Sequence, residues 1–450
     1  MAGERAGDMT PRSPDSSPVS RRGERYEQRS GLGLITLIIV TLALILAARF
    51  TGGAAPRSRH DLVLWHSYLG AEQQALERLV RDYNASGRGV HIRLLQVSFD
   101  NLPQKLTNAI PRGNGPDLFI FAHDRLGDWT RKKLLEPIGY WVGGDMASRF
   151  LPGLLGAFVD RGALYALPLT YKSLALFSNE TLVPDPPRTT RQLLALGRRL
   201  TDASQGRFGL VYQSTDIYFH APWLFGFGGR LLERSRGCVP KPALVSDRAV
   251  AALEFARKLA GPGGIVPPEV TGQLVASLFV SGKAAMAISG PWFLSQIQAA
   301  RFPYKVAVLP RVSQTGKPAS PLLSVEGIFM SRRCGNKEAA FDFMRYLTSS
   351  RSSEFRLRKA GQLPADRATD AQVATIRPLL DAFRRERALA RITPSTPVMR
   401  LLWRPYSKAL AAVLARGKAP RAALKEAQWE VDKFLGSCLK GRACGKEAAR

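Results

Sequence analysis

Histidine and cysteine are scarce in this chain, with five of the first and four of the second among 450 residues. Cys238, Cys334, Cys438 and Cys444 have no metal-type spacing. His60, His66, His91, His123 and His220 form no His-x-x-x-His or Cys/His cluster, so a structural metal site is not expected. Cys438 and Cys444 are close enough for a small disulfide loop in an oxidising compartment, and the sequence leaves open whether they pair. Acidic residues are also few, 36 Asp and Glu against 65 Lys and Arg, for a formal net charge of +29. Alone, that excess points to nucleic acid or an anionic surface. The basic residues are dispersed, however, and no helix-turn-helix, zinc-finger or aromatic RNA-binding signature accompanies them, so no nucleic-acid partner is expected. There is no nucleophile elbow, P-loop or His-Glu-x-x-His motif, and no internal repeat. Neither catalysis nor a cofactor is expected.

Long apolar runs are lacking except for one. Residues 31–48 carry no charge and are just long enough to cross a bilayer core of about 30 Å. Arg5, Arg12, Arg21, Arg22, Arg25 and Arg29 precede them, which keeps a polar leader (1–30) cytoplasmic and sends everything after Phe50 across. The expectation is a single N-terminal transmembrane anchor (31–50) and a domain on the periplasmic, extracytoplasmic face of the inner membrane. A cleaved signal releasing the domain into the periplasm is the alternative.

The remainder has a 45% apolar composition overall, enough for more than one core. Asp61–Trp65, His91–Val97 and Asp117–Phe121 read as strands separated by helices at Ala71–Tyr83 and Asn101–Ile110. This rhythm predicts a largely parallel sheet covered by helices, with His66, Ser67 and Tyr68 and then His123, Asp124 and Arg125 on one rim. A second α/β unit is expected from strands at Ala175–Ser178, Phe208–Tyr212, Ala284–Ile288 and Lys305–Leu309. Its helices fall at Thr189–Arg199, Ser246–Leu259 and Thr271–Val280, and two more follow at Leu401–Leu414 and Pro420–Leu435. Between a buried strand and a helix opened by Gly290-Pro291 stands Trp292, where a flat indole can stack on a ligand.

The segments LWHSYLGAE (Leu64–Glu72), GPDLFIFAHDRLGDW (Gly115–Trp129), LYALPLTYKSLALFSNETLVPDPPRT (Leu164–Thr189), SGKAAMAISGPW, YKVAVLP (Tyr304–Pro310) and PVMRLLW (Pro397–Trp403) stand in a telling order. Together they resemble the extracellular solute-binding proteins of ABC importers, the group that contains the maltose-binding protein, over about residues 60 to 435. The resemblance implies an α/β, two-lobed periplasmic binding protein fold of type II. Lobe one would take 57–170 and 325–370, lobe two 171–324 and 371–435, and a basic tail 436–450. It implies a sugar bound between the lobes and delivered to ABC permease subunits; a membrane-tethered sensor or adaptor of the same clamp fold is the alternative.

By position in the family motifs, Asp124 and Arg125 would hydrogen-bond sugar hydroxyls and Phe121 would stand at an aromatic position. Trp292 and Trp403 would stack on the sugar, while Asp216 and Tyr218 match an acidic and an aromatic cleft residue. His66, Ser67 and Tyr68 sit in a strand-end loop that could reach the cleft. Trp65, Trp129 and Trp141 read as core. Two positions depart from the pattern: Lys172 replaces a glutamate of maltose binders, and Arg404 stands where an aromatic is common. If both faced the cleft, a phosphorylated, sulfated or uronic-acid sugar would suit it better than a neutral one.

Overall fold

The computed structural model describes residues 61–233, 240–268 and 270–440, the last five by backbone alone. The leader, the span 31–48, Cys444 and the side chain of Cys438 lie outside the residues so described. Among the described residues no helix is long and apolar enough to cross a membrane.

Strand β1 (Asp61–His66) is parallel to β2 (His91–Gln96) and to β3 (Leu118–Ala122), with the helices Gly70–Asn84 and Leu102–Ala109 as crossovers. β1 and β3 are almost wholly buried because helices cover both faces of a parallel sheet, whereas β2 lies at the edge and exposes His91, Arg93 and Leu95. The chain then forms β4 (Ala166–Lys172) and, after a short turn, β5 (Ala175–Asn179). β5 belongs to a different, three-stranded sheet, where it lies between β6 (Met286–Ser289) and β7 (Tyr304–Ala307), antiparallel to both.

A nine-residue strand, β8 (Leu322–Met330), returns to the first sheet and pairs antiparallel with β3 on one side and β4 on the other. Its first two residues also pair with β9 (Arg391–Ile392). The first sheet is therefore mixed. Helix starts follow their caps: Thr189 and Gln192 form a reciprocal capping box, and the Ser246 and Thr271 hydroxyls accept from Ala249 N at 3.1 Å and Leu274 N at 3.3 Å.

One expected strand is not a strand. Phe208–Tyr212 makes only two isolated parallel bridges, Phe208 to Ala284 and Val211 to Ala287. Between those bridges Gly209 sits against the backbone of Gly197 so closely that a Cβ would lie 2.3 Å from its carbonyl oxygen. Trp65 and Trp129 are core, and Trp141 stacks on Phe341 at 5.2 Å.

Candidate functional site

Strand ends and helix starts converge on a cavity of about 670 Å³. At the carboxyl end of β3 the chain makes a single 3₁₀ turn, His123–Arg125. His123 is fully buried and fixes that turn: its Nδ1 accepts from Val325 N at 3.1 Å, and its Nε2 donates to the Thr393 carbonyl at 2.7 Å. Burial keeps the imidazole below its usual pKa, neutral as this pairing requires. The next two side chains, Asp124 and Arg125, line the cavity side by side, with Asp124 Oδ2 3.7 Å from Arg125 Nε. The enclosing walls raise the Asp124 carboxyl above its ordinary pKa, against the pull of His123 and Arg125.

Across the cavity Asp216 caps the helix Ile217–Gly226, accepting from Tyr218 N at 2.7 Å. Burial raises its carboxyl too, opposed by donors from Tyr218 and Trp403. Trp292 and Tyr218 have ring centres 6.3 Å apart, and the Tyr218 hydroxyl donates to the Lys172 carbonyl at 3.5 Å. The helix Pro397–Arg416 presents Met399, Arg400 and Trp403 on one face at i, i+1 and i+4.

Seven expected residues meet in this cavity: Asp124, Arg125, Lys172, Asp216, Tyr218, Trp292 and Trp403. Ser67 lines a neighbouring cavity of about 550 Å³, separated from the first by a wall that includes Lys172 and Trp292. Four others do not line either. Phe121 is buried core, with Trp129 against its edge, and offers its face to Phe99 at 4.8 Å; it is Phe99, 54% exposed, that borders the cavity. His66 is buried and its Nδ1 accepts from Tyr68 N at 3.2 Å. Tyr68 is buried as well, its hydroxyl donating to Glu326 Oε2 at 3.2 Å. Arg404 is exposed and lines neither cavity.

Lys172 faces the cavity but not as a free cation. Its Nζ lies 2.8 Å from Glu326 Oε1 and 3.7 Å from Glu72 Oε1. Burial pulls its pKa down, and the two carboxylates outweigh that and raise it. The condition for an anionic sugar, Lys172 and Arg404 together as free cations in the cleft, is therefore not met in this cavity. Four carboxylates (Asp100, Asp124, Asp216, Glu326) and three cations (Arg125, Lys172, Arg400) line the wall, and each cation has an acid beside it, Arg400 Nε standing 2.8 Å from Asp128. Such a surface offers donors and acceptors at fixed angles with little net charge, which suits neutral hydroxyls.

Glu326 had a signal in the sequence: a lone acid inside the apolar run LLSVEGIFM has to be paired. Phe99 and Arg400 had none beyond their place at a strand end and three residues before Trp403. Among the described residues no group of His, Cys, Asp and Glu could hold a metal ion.

Residues 68–354 match the family described as bacterial extracellular solute-binding protein. The chain belongs to that family. It is similar to a maltotriose-binding protein of Pyrococcus abyssi, 27% identical over 83% of this chain and 82% of the relative. A galactooligosaccharide-binding protein of Bacillus subtilis is 25% identical over 82% of this chain and 87% of the relative. The solved structure of a Thermus thermophilus maltotriose binding protein bound with maltotriose aligns with a TM-score of 0.75 at 25% identity, covering 83% of this chain and all of the other.

Proposed function

We propose that this protein is the substrate-binding component of an ABC-type carbohydrate importer and that it holds a neutral oligosaccharide in the 670 Å³ cavity. The observation that carries the reading is the placement of two indoles, Trp292 and Trp403, around one space with Asp124, Arg125 and Asp216. Indole faces take the apolar face of a pyranose, and paired charges meet its hydroxyls. The names of the relatives, a maltotriose binder and a galactooligosaccharide binder, support the same class. Binding is followed by release to permease subunits, without chemistry on the sugar.

Two lobes, 57–170 with 325–370 and 171–324 with 371–435, close over the ligand by bending at the strands that join the two sheets. The domain works outside the cytoplasm, held at the membrane by residues 31–48. Calorimetric titration of maltotriose and of a galactooligosaccharide into the protein tests the ligand class: micromolar or tighter binding of either, lost in Trp292→Ala, is the expected result, and no heat with both would remove the reading. Intact mass of the membrane-extracted protein tests the anchor, since a mature N-terminus near Ala55 would make the span a signal.

A further inference from the structure

A third cavity, of about 570 Å³, is bounded by Phe225, Arg230, Leu322, Arg391 and Pro394, and Pro394 also lines the proposed sugar cavity. The two spaces are therefore neighbours across one residue. Arg391 is held in place by its backbone, which donates to the Pro321 carbonyl at 2.8 Å, and by its guanidinium, 4.5 Å from the centre of the Phe225 ring. Burial lowers its pKa, and the charge of Arg230 lowers it further, so the two guanidinium groups feel each other. Neither has an ion-pair or hydrogen-bond partner for its side chain among the described residues, and Glu233 on the same wall lies beyond ion-pair distance of both. The contrast with the first cavity is direct: there each lining cation has its carboxylate.

Two arginines that repel each other across a concave wall are stabilised by an anion between them, and a guanidinium resting on a ring keeps its N–H fork for bidentate contact. We propose that this cavity accepts an oxyanion, a carboxylate or sulfate, carried by a glycan bound in the adjoining cleft or present as a free small anion. The glycan-borne form rests on the carbohydrate reading above; the anion site itself does not.

The test uses the full-length protein at low ionic strength with three probes: maltotriose, maltotriose oxidised to its terminal carboxylic acid, and sodium sulfate alone. The acid should bind about tenfold or more tighter than the neutral sugar. That gain should vanish in Arg391→Gln and Arg230→Gln and shrink in high salt, with neutral-sugar affinity unchanged. Arg391→Lys should keep part of it. Arg230 is exposed, so its variant carries the test if the loss of the Arg391 stack upsets folding. Sulfate binding that needs both arginines, without a gain for the acidic sugar, supports the free-anion form. Equal affinities for the two sugars together with no sulfate binding, or a gain retained in both glutamine variants, overturns the proposal. If neither sugar binds, the carbohydrate reading fails and the sulfate titration still decides this one.

Discussion

Lys172 Nζ and Glu326 Oε1 lie 2.8 Å apart across neighbouring strands of the first sheet, at the point where the chain leaves it for the second. Glu326 also takes the Tyr68 hydroxyl, and Lys172 also faces Glu72, so one lysine balances two acids. The lysine side chain is 19% exposed and the Glu326 side chain 9%, which leaves little water to screen the pair. Removing the cation strands two carboxylates beside a buried phenol. Lys172→Met should cost about 3–5 kcal/mol at pH 7. Adding Glu326→Gln to Lys172→Met should recover part of the loss, because one stranded carboxylate is then gone. Melting curves of the single and double variants check this, and no recovery in the double variant would show that the pair is not what the lysine supplies.

Gly290 is the second lever on the site. A Cβ there would fall 2.0 Å from the six-membered ring of Trp292, so the indole can rest where it does only because that residue has no side chain. Gly290→Ala should push the ring off its position and weaken ligand binding tenfold or more, although no ligand-facing group has been removed. Trp292→Ala should lose binding outright. Because the indole is half-buried, its melting temperature should fall less than the 3–5 kcal/mol typical of a buried aromatic implies. Unchanged affinity in Gly290→Ala would place the stacking surface elsewhere.

The elements of the first sheet were legible because β1 and β3 are continuous apolar runs separated by helices with one apolar face, and periodicity reports such patterns directly. The fate of Phe121 was not. In a strand buried on both faces, sequence cannot tell which ring meets solvent, and that depended on Phe99 reaching over from the loop after β2. The pairing of Lys172 was hidden for a related reason. Lys172 is visible as a cation in the sequence, but its partners stand 100 residues before it and 154 after, and only the β4–β8 register brings Glu326 to it. Arg404 is exposed and lines neither cavity, which depends on how the helix Pro397–Arg416 is rotated against its neighbours, and adjacency to Trp403 in the sequence does not set that rotation.

Acidification should weaken sugar binding before it unfolds the protein. Asp124 and Asp216 have carboxyl groups raised above the ordinary range by burial, so they take up protons at a pH where exposed aspartates remain charged. Once neutral, each loses its charge-assisted bonds to hydroxyls. A raised folded-state value means that these two groups favour the folded form as the pH falls, so the loss of affinity is not their unfolding. Titrations from pH 7 down to 4 should show a falling affinity for maltotriose, with the fold still intact by circular dichroism. Asp124→Asn should bind more weakly at pH 7 and depend less on pH; a wild-type affinity flat over the whole range would exclude both carboxylates from contact.

Glu386 gives the opposite pH signature, in stability instead of binding. It lies fully buried on the helix Asp381–Leu389, where one carboxyl oxygen accepts from Leu309 N and the other has no hydrogen-bond partner. Burial pushes its pKa from 4.5 up to about 8, with the Leu309 N–H and Arg385 opposing the rise. The folded protein therefore keeps a proton that the unfolded chain gives up between those two values. Its stabilising effect is complete below pH 4.5 and is lost as the pH climbs through about 8. Glu386→Gln keeps the acceptor for Leu309 without a charge to bury. The variant should match the wild type in denaturant unfolding at pH 4.5 and exceed it increasingly up to pH 8, by a margin on the order of a few kcal/mol, beyond which the difference levels off. A difference that does not change between pH 4.5 and 9 would mean that this carboxyl does not titrate there.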